Sequence, residues 1–152
     1  MPVTTESAII YYTIRGGCVR GMDAVSGKDI ETGDAPVGAV TLVFTDIQGY
    51  SELSERYRGA FRPVLEQHNR LLRTLCRQYD GYEVKALGDA FFFTFGRVER
   101  AIRFALEAQR SVLNASWQVN LPDGAAVTVP LAIRIGLHTG EPELIRHPDG
   151  IV

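Results

Sequence analysis

The sequence predicts an α+β fold of the ferredoxin-like split βαβ type, a sandwich in which helices pack on one face of a sheet. Short runs of β-branched and aromatic residues, typical of strands, alternate with two longer segments whose apolar residues recur at helical spacing. Two of the strand runs are consecutive and are joined by a Gly-Asp turn, as in a hairpin. The resulting order is strand, helix, hairpin, helix, strand, in a chain of 152 residues that suits one domain.

The first strand is AVTLVF (39–44), a nearly all-apolar run that suits a central strand buried on both faces. A short helix is predicted over residues 50–57, with Ser51 as its cap. A longer helix is predicted over residues 61–79. Its apolar stripe comprises Phe61, Val64, Leu65, His68, Leu71, Leu72, Leu75 and Cys76.

The hairpin joins YEVKAL (82–87) to AFFFTF (90–95) through Gly88 and Asp89, so the aspartate lies at its tip. A second long helix is predicted over residues 98–116. Its apolar stripe comprises Ala101, Phe104, Ala105, Ala108, Val112 and Leu113.

The remainder of the chain is predicted to hold one more strand. Residues 117–130 are interpreted as a loop with a turn at 122–124. The strand is LAIRIGLHTG (131–140), in which apolar residues alternate with smaller or polar ones, and HPDG at 147–150 indicates a further turn.

Composition and charge narrow the class of protein. A net charge of −2 gives no general attraction to nucleic acid or acidic lipid, so no nucleic-acid partner is expected. Cys18 and Cys76 lack metal-ligand spacing and are interpreted as free thiols in a reducing compartment, with Cys76 in the core. No apolar run approaches the roughly 20 residues that cross a bilayer, and we recognise no signal peptide. Residues 1–36 are interpreted as an extension or linker of unknown role, with a strand in SAIIYYTIRGG.

Two aspartates, Asp46 and Asp89, each follow an apolar strand, and in a sheet of this order they would meet at one edge. Carboxylates that close repel each other, and divalent cations relieve the repulsion. Mg²⁺ suits such a pair because it takes its remaining ligands from water and phosphate oxygens. The turn after Asp46 enters a helix, whose free N–H groups would point at a phosphate. The residues leave a second interpretation open, in which Asp46 caps that helix and Asp89 is a turn residue.

Three further residues invite a role. Lys85 lies on an otherwise apolar strand, where it would contact a ring nitrogen or carbonyl of a bound base, or face solvent at an edge. His138 is interpreted as a hydrogen-bonded structural residue, and His68 as part of a packed helix stripe. A Ser/His/Asp set, a P-loop and zinc-ligand spacing are all absent from the sequence.

Three motifs, FTDIQGYSEL, YEVKALGDAFFFTF and IRIGLHTG, occur in the order found in class III adenylate and guanylate cyclase catalytic domains. The segment from about 37 to 145 resembles that family, and APVGAVTLVFTDIQG with Ala115-Ser116-Trp117 is most similar to adenylate cyclases of fungi and protists. The resemblance implies the nucleotide cyclase fold over residues 37–152, incomplete at its C-terminus. It also implies conversion of ATP to cyclic AMP and pyrophosphate.

The resemblance assigns a metal site. Asp46 and Asp89 match the two metal-binding aspartates of the family, and Ile47 matches the residue whose backbone carbonyl also binds metal. Two Mg²⁺ or Mn²⁺ ions per site are implied. They help to activate the ribose 3′-oxygen and stabilise charge on the phosphates.

The resemblance also assigns substrate contacts and an assembly. Gly49, Tyr50 and Ser51 match the turn that holds the triphosphate, and Lys85 matches the residue that selects adenine, where guanylate cyclases typically carry glutamate. Members of the family work as homodimers or paired cyclase domains, with the active site between protomers. Lys85 and Asp46 would then serve opposite sites. The implied location is the cytoplasm, or the cytoplasmic side of a membrane for an anchored parent protein.

The family pattern continues with a second base-reading residue and a helix that presents asparagine and arginine at NxxxR spacing, neither of which is among these residues. Asp149 is interpreted as a turn residue. We therefore expect this chain by itself to have little or no cyclase activity. Two alternatives are a non-catalytic cyclase-like domain that dimerises or regulates, and a palm-type nucleotidyltransferase, whose GG[DE]EF-like hairpin the sequence lacks.

Overall fold

The computed structural model describes residues 10–14, 17–18, 36 and 38–146. The elements are β1 Ile10–Ile14, β2 Gly17–Cys18, β3 Val40–Ile47, α1 Tyr50–Tyr57, α2 Arg62–Gln78, β4 Gly81–Leu87, β5 Ala90–Phe95, α3 Val98–Asn114, β6 Gln118–Asn120, β7 Ala126–Thr128, β8 Ile133–Gly140 and β9 Glu143–Arg146. A four-stranded antiparallel sheet in the order β4-β5-β3-β8 carries the long helices, which confirms the predicted α+β class.

The central strand is β3, which pairs with β5 on one side and β8 on the other. Val40, Leu42 and Val43 are at most 1% exposed, so the prediction of a strand buried on both faces is confirmed for this stretch. The β3–β5 register sets Thr45 opposite Phe91. This register brings the end of β3 beside the tip of the β4–β5 hairpin.

The two faces of the sheet differ. On the helix face, Phe93 packs edge-on against Phe104 of α3 with ring centroids 5.3 Å apart, inside the main core. On the opposite face, here called the second face, Phe44 and Phe92 stack with centroids 4.5 Å apart in a smaller cluster. Since side chains alternate along a strand, Asp46 lies on the second face with Phe44.

The helix stripes are confirmed with one exception. The buried residues of α2 are Val64, His68, Leu72, Leu75 and Cys76. Those of α3 are Ala101, Phe104, Ala105, Ala108 and Val112. Burial raises the pKa of the Cys76 thiol to about 12. Leu113 was wrongly placed in the α3 stripe: it is 65% exposed, because one step of a helix turns a side chain about 100° away from that of Val112.

The starts of the first two helices differ from the prediction. Ser51 is not the cap of α1: Gly49 occupies that position with φ 73°, and no side chain bonds the free amides. The second helix begins at Arg62, after a 3₁₀ turn over Arg58–Phe61. Short-range backbone geometry, which periodicity does not report, therefore fixes these ends.

The loop predicted over 117–130 was wrong in part, because β6 and β7 form a small antiparallel hairpin there. Trp117 is buried and its Nε1–H donates to the Val112 carbonyl at 2.8 Å. Val119 is fully buried, and the predicted turn is present with Gly124 at φ 86°. Three-residue strands are too short for alternation to be visible in the sequence.

The N-terminal strand prediction is confirmed by β1, which pairs antiparallel with β9. The predicted turn at 147–150 and most of the predicted linker lie outside the described residues. The boundary at residues 36 and 37 stays a prediction. Among the described residues, no helix combines the length and apolar character needed to cross a bilayer.

Candidate functional site

A cleft of about 410 Å³ lies where the end of β3, the start of α1, the hairpin tip and β8 converge. Six of the seven predicted site residues line it, and Lys85 does not. The lining residues are Asp46, Ile47, Gly49, Tyr50, Ser51, Glu52, Asp89 and Arg134. A cleft of this size is within the range of small-molecule sites.

Asp46 projects from β3 and is paired in register with Arg134 of β8. Arg134 Nε–H donates to Asp46 Oδ1 at 2.7 Å, and this hydrogen bond raises the pKa of Arg134. The alternative in which Asp46 caps α1 is excluded, since no side chain caps that helix. Arg134 escaped the sequence analysis because the partners are 88 positions apart, and only the β3–β8 register brings them together.

Asp89 occupies the tip of the hairpin and reaches across to β3. The Ile47 backbone N–H donates to Asp89 Oδ2 at 2.8 Å. Asp89 is thus a turn residue, as one alternative held, but its carboxylate also joins two elements of the cleft. The predicted meeting of Asp46 and Asp89 at one edge of the sheet is confirmed by the cleft that both line.

The first turn of α1 forms one wall of the cleft. Gly49 adopts a left-handed conformation and no side chain caps the helix, so the amides of the first turn lack a capping group, and Gly49, Tyr50 and Ser51 line the cleft. These amides carry the positive end of the helix dipole. Glu52 adds a carboxylate to this wall, and the sequence analysis did not single it out.

Lys85 lies on β4, two strands from β3. A β-bulge shifts the register between Glu83 and Lys85, so that Glu83 is opposite Phe93 and Lys85 is opposite Phe92. Lys85 therefore shares the second face with Phe92 and Asp46. Glu83 belongs to the helix face, where Arg73 binds it through two hydrogen bonds of 2.8 and 2.9 Å.

His68 and His138, the histidines within the described part of the chain, differ in burial. His68 is fully buried on α2, which confirms its packing role, and burial lowers its pKa against the opposing effect of its hydrogen bond to Asn69. His138 is exposed on β8 and is not among the residues that line the cleft. Its predicted hydrogen-bonded role stays a prediction.

The donors of the cleft suit a hard divalent cation. Within the described residues there is no cluster of three or more His, Cys, Asp and Glu side chains, which argues against a site closed by protein ligands. Two carboxylates that line one cleft are instead a partial ligand set of the kind that Mg²⁺ or Mn²⁺ completes with water and phosphate oxygens. The guanidinium of Arg134 already places a positive charge beside Asp46.

Residues 34–144 match the family model described as adenylate and guanylate cyclase catalytic domain. An adenylate cyclase of Podospora anserina is 31% identical over 86% of this chain, and one of Lachancea kluyveri is 36% identical over 70%. The chain spans only 6% of the length of each of these relatives.

The fold is also similar to that of solved cyclases. A structure of adenylate cyclases from Trypanosoma brucei in their monomeric state aligns with a TM-score of 0.62 and 26% identity. The alignment covers 72% of this chain and 61% of that one. On the family match and these relatives, the chain belongs to the adenylate and guanylate cyclase catalytic domain family.

Proposed function

We propose that this chain forms the catalytic domain of an adenylate cyclase, which converts ATP to 3′,5′-cyclic AMP and pyrophosphate. The supporting observation is a single cleft that gathers Asp46, Asp89 and an uncapped helix start, in a chain of the cyclase family. The reaction forms a bond from the ribose 3′-oxygen to the α-phosphorus. It breaks the bond from that phosphorus to the bridging oxygen, releasing pyrophosphate and a proton.

Asp46, Asp89 and the Ile47 carbonyl would hold the metal ions, two Mg²⁺ or Mn²⁺ in the proposal. When bound, such ions lower the charge on the phosphates and favour ionisation of the attacking hydroxyl. The Ile47 N–H fixes one oxygen of Asp89, so this carboxylate is oriented before substrate arrives.

The α1 wall would bind the triphosphate. Backbone amides of Tyr50 and Ser51 lie at a helix start, where fixed N–H groups and the dipole favour an anion. Arg134 would also bind the triphosphate. If metal displaces its guanidinium from Asp46, the guanidinium can donate two parallel hydrogen bonds to a phosphate. The carboxylate of Glu52, on the same wall, would repel a phosphate because both groups are negatively charged.

Base recognition is assigned to Lys85 of a second protomer. Lys85 and Asp46 share the second face of the sheet, but with two strand spacings between β4 and β3 they are about 10 Å apart or more. The cleft of one chain therefore holds the phosphate-binding groups without Lys85. A twofold dimer that pairs second faces would bring the partner's lysine to each cleft, either as a homodimer or with another cyclase domain.

The test is calorimetric titration of the chain with Mn²⁺ and α,β-methylene ATP, an analogue that does not cyclise. Asp46→Asn and Asp89→Asn should each weaken binding about 10-fold or more, since each removes a charged ligand. Glu55→Gln is the matched control, because Glu55 is an exposed acidic residue of α1 outside the cleft. Unchanged affinity in both aspartate variants would contradict the proposal and favour a non-catalytic cyclase-like domain.

Product analysis separates the remaining alternatives. The product formed from Mn²⁺-ATP should be cyclic AMP. A dinucleotide or polymer would instead support a palm-type nucleotidyltransferase. The cytoplasmic location stays a prediction.

A further inference from the structure

Behind the hairpin tip, two consecutive residues of α2 connect the core to the backbone next to Asp89. His68 is fully buried, and its ring centroid lies 6.3 Å from that of Phe91. Its Nδ1 is 2.9 Å from Asn69 Oδ1. Asn69 Nδ2 in turn donates to the Gly88 carbonyl at 3.1 Å.

The chemistry of these groups fixes the direction of every hydrogen bond. The Gly88 carbonyl can only accept, so the Asn69 amide must present its NH₂ to Gly88 and its oxygen to His68. His68 Nδ1 must then carry the proton and donate it. The Asn69 amide is therefore held on both sides, by the buried imidazole and by the Gly88 carbonyl.

The Gly88 carbonyl belongs to the peptide unit that leads into Asp89. Gly88 adopts φ +62°, and because glycine lacks a Cβ it restrains the rotation of its neighbouring peptides less than other residues do. Asn69 holds this peptide from the helix side, and the Ile47 N–H holds the Asp89 carboxylate from the β3 side. Together the two contacts set both ends of Asp89, its backbone and its oxygen atoms.

We propose that Asn69 is a positioning residue for the Asp89 carboxylate, and that buried His68 keeps Asn69 in the orientation this requires. The inference rests on the proposed function, in which Asp89 binds metal. Metal sites need their ligands held within about 0.5 Å, so a small rotation of the tip is enough to weaken binding. Asn69 acts through Gly88 and has no contact with the reacting atoms in this scheme.

The first experiment compares Asn69→Ala with Gln67→Ala, an exposed position of the same helix. Mn²⁺ binding is measured from the electron paramagnetic resonance signal of free Mn²⁺, with α,β-methylene ATP present. Loss of one hydrogen bond should weaken Mn²⁺ binding about 3- to 10-fold in Asn69→Ala. Gln67→Ala should bind as the unmodified chain does. Equal binding by the two variants would overturn the proposal.

The second experiment tests the role of His68. His68→Phe keeps the ring but removes the donor, so it should weaken Mn²⁺ binding in the same direction as Asn69→Ala. In the double variant, His68→Phe should add nothing further, because the group it orients is already gone. If the losses in Mn²⁺ binding from the two substitutions were additive, His68 would act separately from Asn69. That result would contradict the proposal.

A third readout does not depend on metal. Hydrogen exchange of the Ile47 amide reports its bond to Asp89, and this exchange should be faster in Asn69→Ala than in Gln67→Ala. If the unmodified chain binds no Mn²⁺, the proposed function fails, while Ile47 exchange still decides whether Asn69 positions Asp89. Exchange unchanged by Asn69→Ala would refute the positioning role.

Discussion

At the scale of single residues, Arg134 neutralises the charge of Asp46 in the cleft. Its Nε lies 2.7 Å from Asp46 Oδ1, although its side chain is 67% exposed. A metal ion that binds Asp46 must therefore compete with a guanidinium. A triphosphate would offer that guanidinium a new partner, so metal and nucleotide should each favour binding of the other.

We predict opposite effects of Arg134→Gln on the two ligands. Mn²⁺ without nucleotide should bind roughly 2- to 5-fold more tightly, because an exposed competing ion pair is removed. The Mn²⁺–α,β-methylene ATP complex should bind more weakly, because a phosphate contact is lost. Calorimetry measures both. Arg110→Gln is the control, since Arg110 is an exposed arginine outside the cleft. If Arg134→Gln changed both affinities in the same direction, Arg134 would not exchange Asp46 for a phosphate as its partner.

Residue-level prediction from the sequence succeeded where position along a strand was enough. Asp46 and Asp89 could be placed together because each ends an apolar strand. Arg134 could not be placed, because its pairing depends on register between strands 88 positions apart. Glu52 and Asn69 were missed for a related reason: polar residues on helices have no distinguishing pattern until their neighbours are known.

At the scale of elements, the junction between α2 and β4 leaves no room for a side chain at Gly81. A Cβ there would lie 2.6 Å from Phe95 Cζ and 2.7 Å from Cys76 Sγ, and both of those residues are buried. The hairpin that carries Asp89 is thereby packed directly against the end of the helix that carries Asn69. Arg73 adds a second link through Glu83.

We predict that Gly81→Ala lowers the free energy of unfolding by about 1–3 kcal/mol, the usual cost of overpacking a core. Urea denaturation followed by circular dichroism measures this change. Gly59→Ala provides the comparison, because a Cβ at Gly59 meets nothing within 4 Å and its φ is not positive. Equal stability of the two variants would show that the junction can relax.

Long elements could be predicted from the sequence, and short ones could not. The stripes of α2 and α3 span 17 residues each and dominate their segments. The β6 and β7 strands have three residues each, and burial of Trp117 and Val119 holds them in place rather than local propensity. Tertiary contacts of that kind cannot be read from a short segment.

At the scale of the whole molecule, two apolar surfaces compete as sites of association. The second face carries the stacked Phe44 and Phe92. An exposed stripe also runs along α3, comprising Val98, Ile102, Leu106 and Leu113. The proposed dimer uses the second face, because only that face carries Asp46 and Lys85.

We predict that Phe44→Ser weakens self-association and that Leu106→Ser does not. Leu106 is 62% exposed on α3, so its replacement removes apolar surface from the other side of the molecule. Sedimentation velocity with Mn²⁺ and α,β-methylene ATP measures the dimer fraction, and circular dichroism confirms folding. Dissociation in Leu106→Ser alone would move the interface to α3 and contradict the arrangement.

The bulge in β4 separates two tasks that a regular strand would combine. Glu83 and Lys85 are two positions apart, so without the bulge they would lie on the same side and attract each other. The extra residue, Val84, sends Glu83 to the clamp with Arg73 and Lys85 to the face that would meet the base. Under the proposed function, selection of the base and attachment of β4 to α2 are therefore carried by opposite faces of one strand.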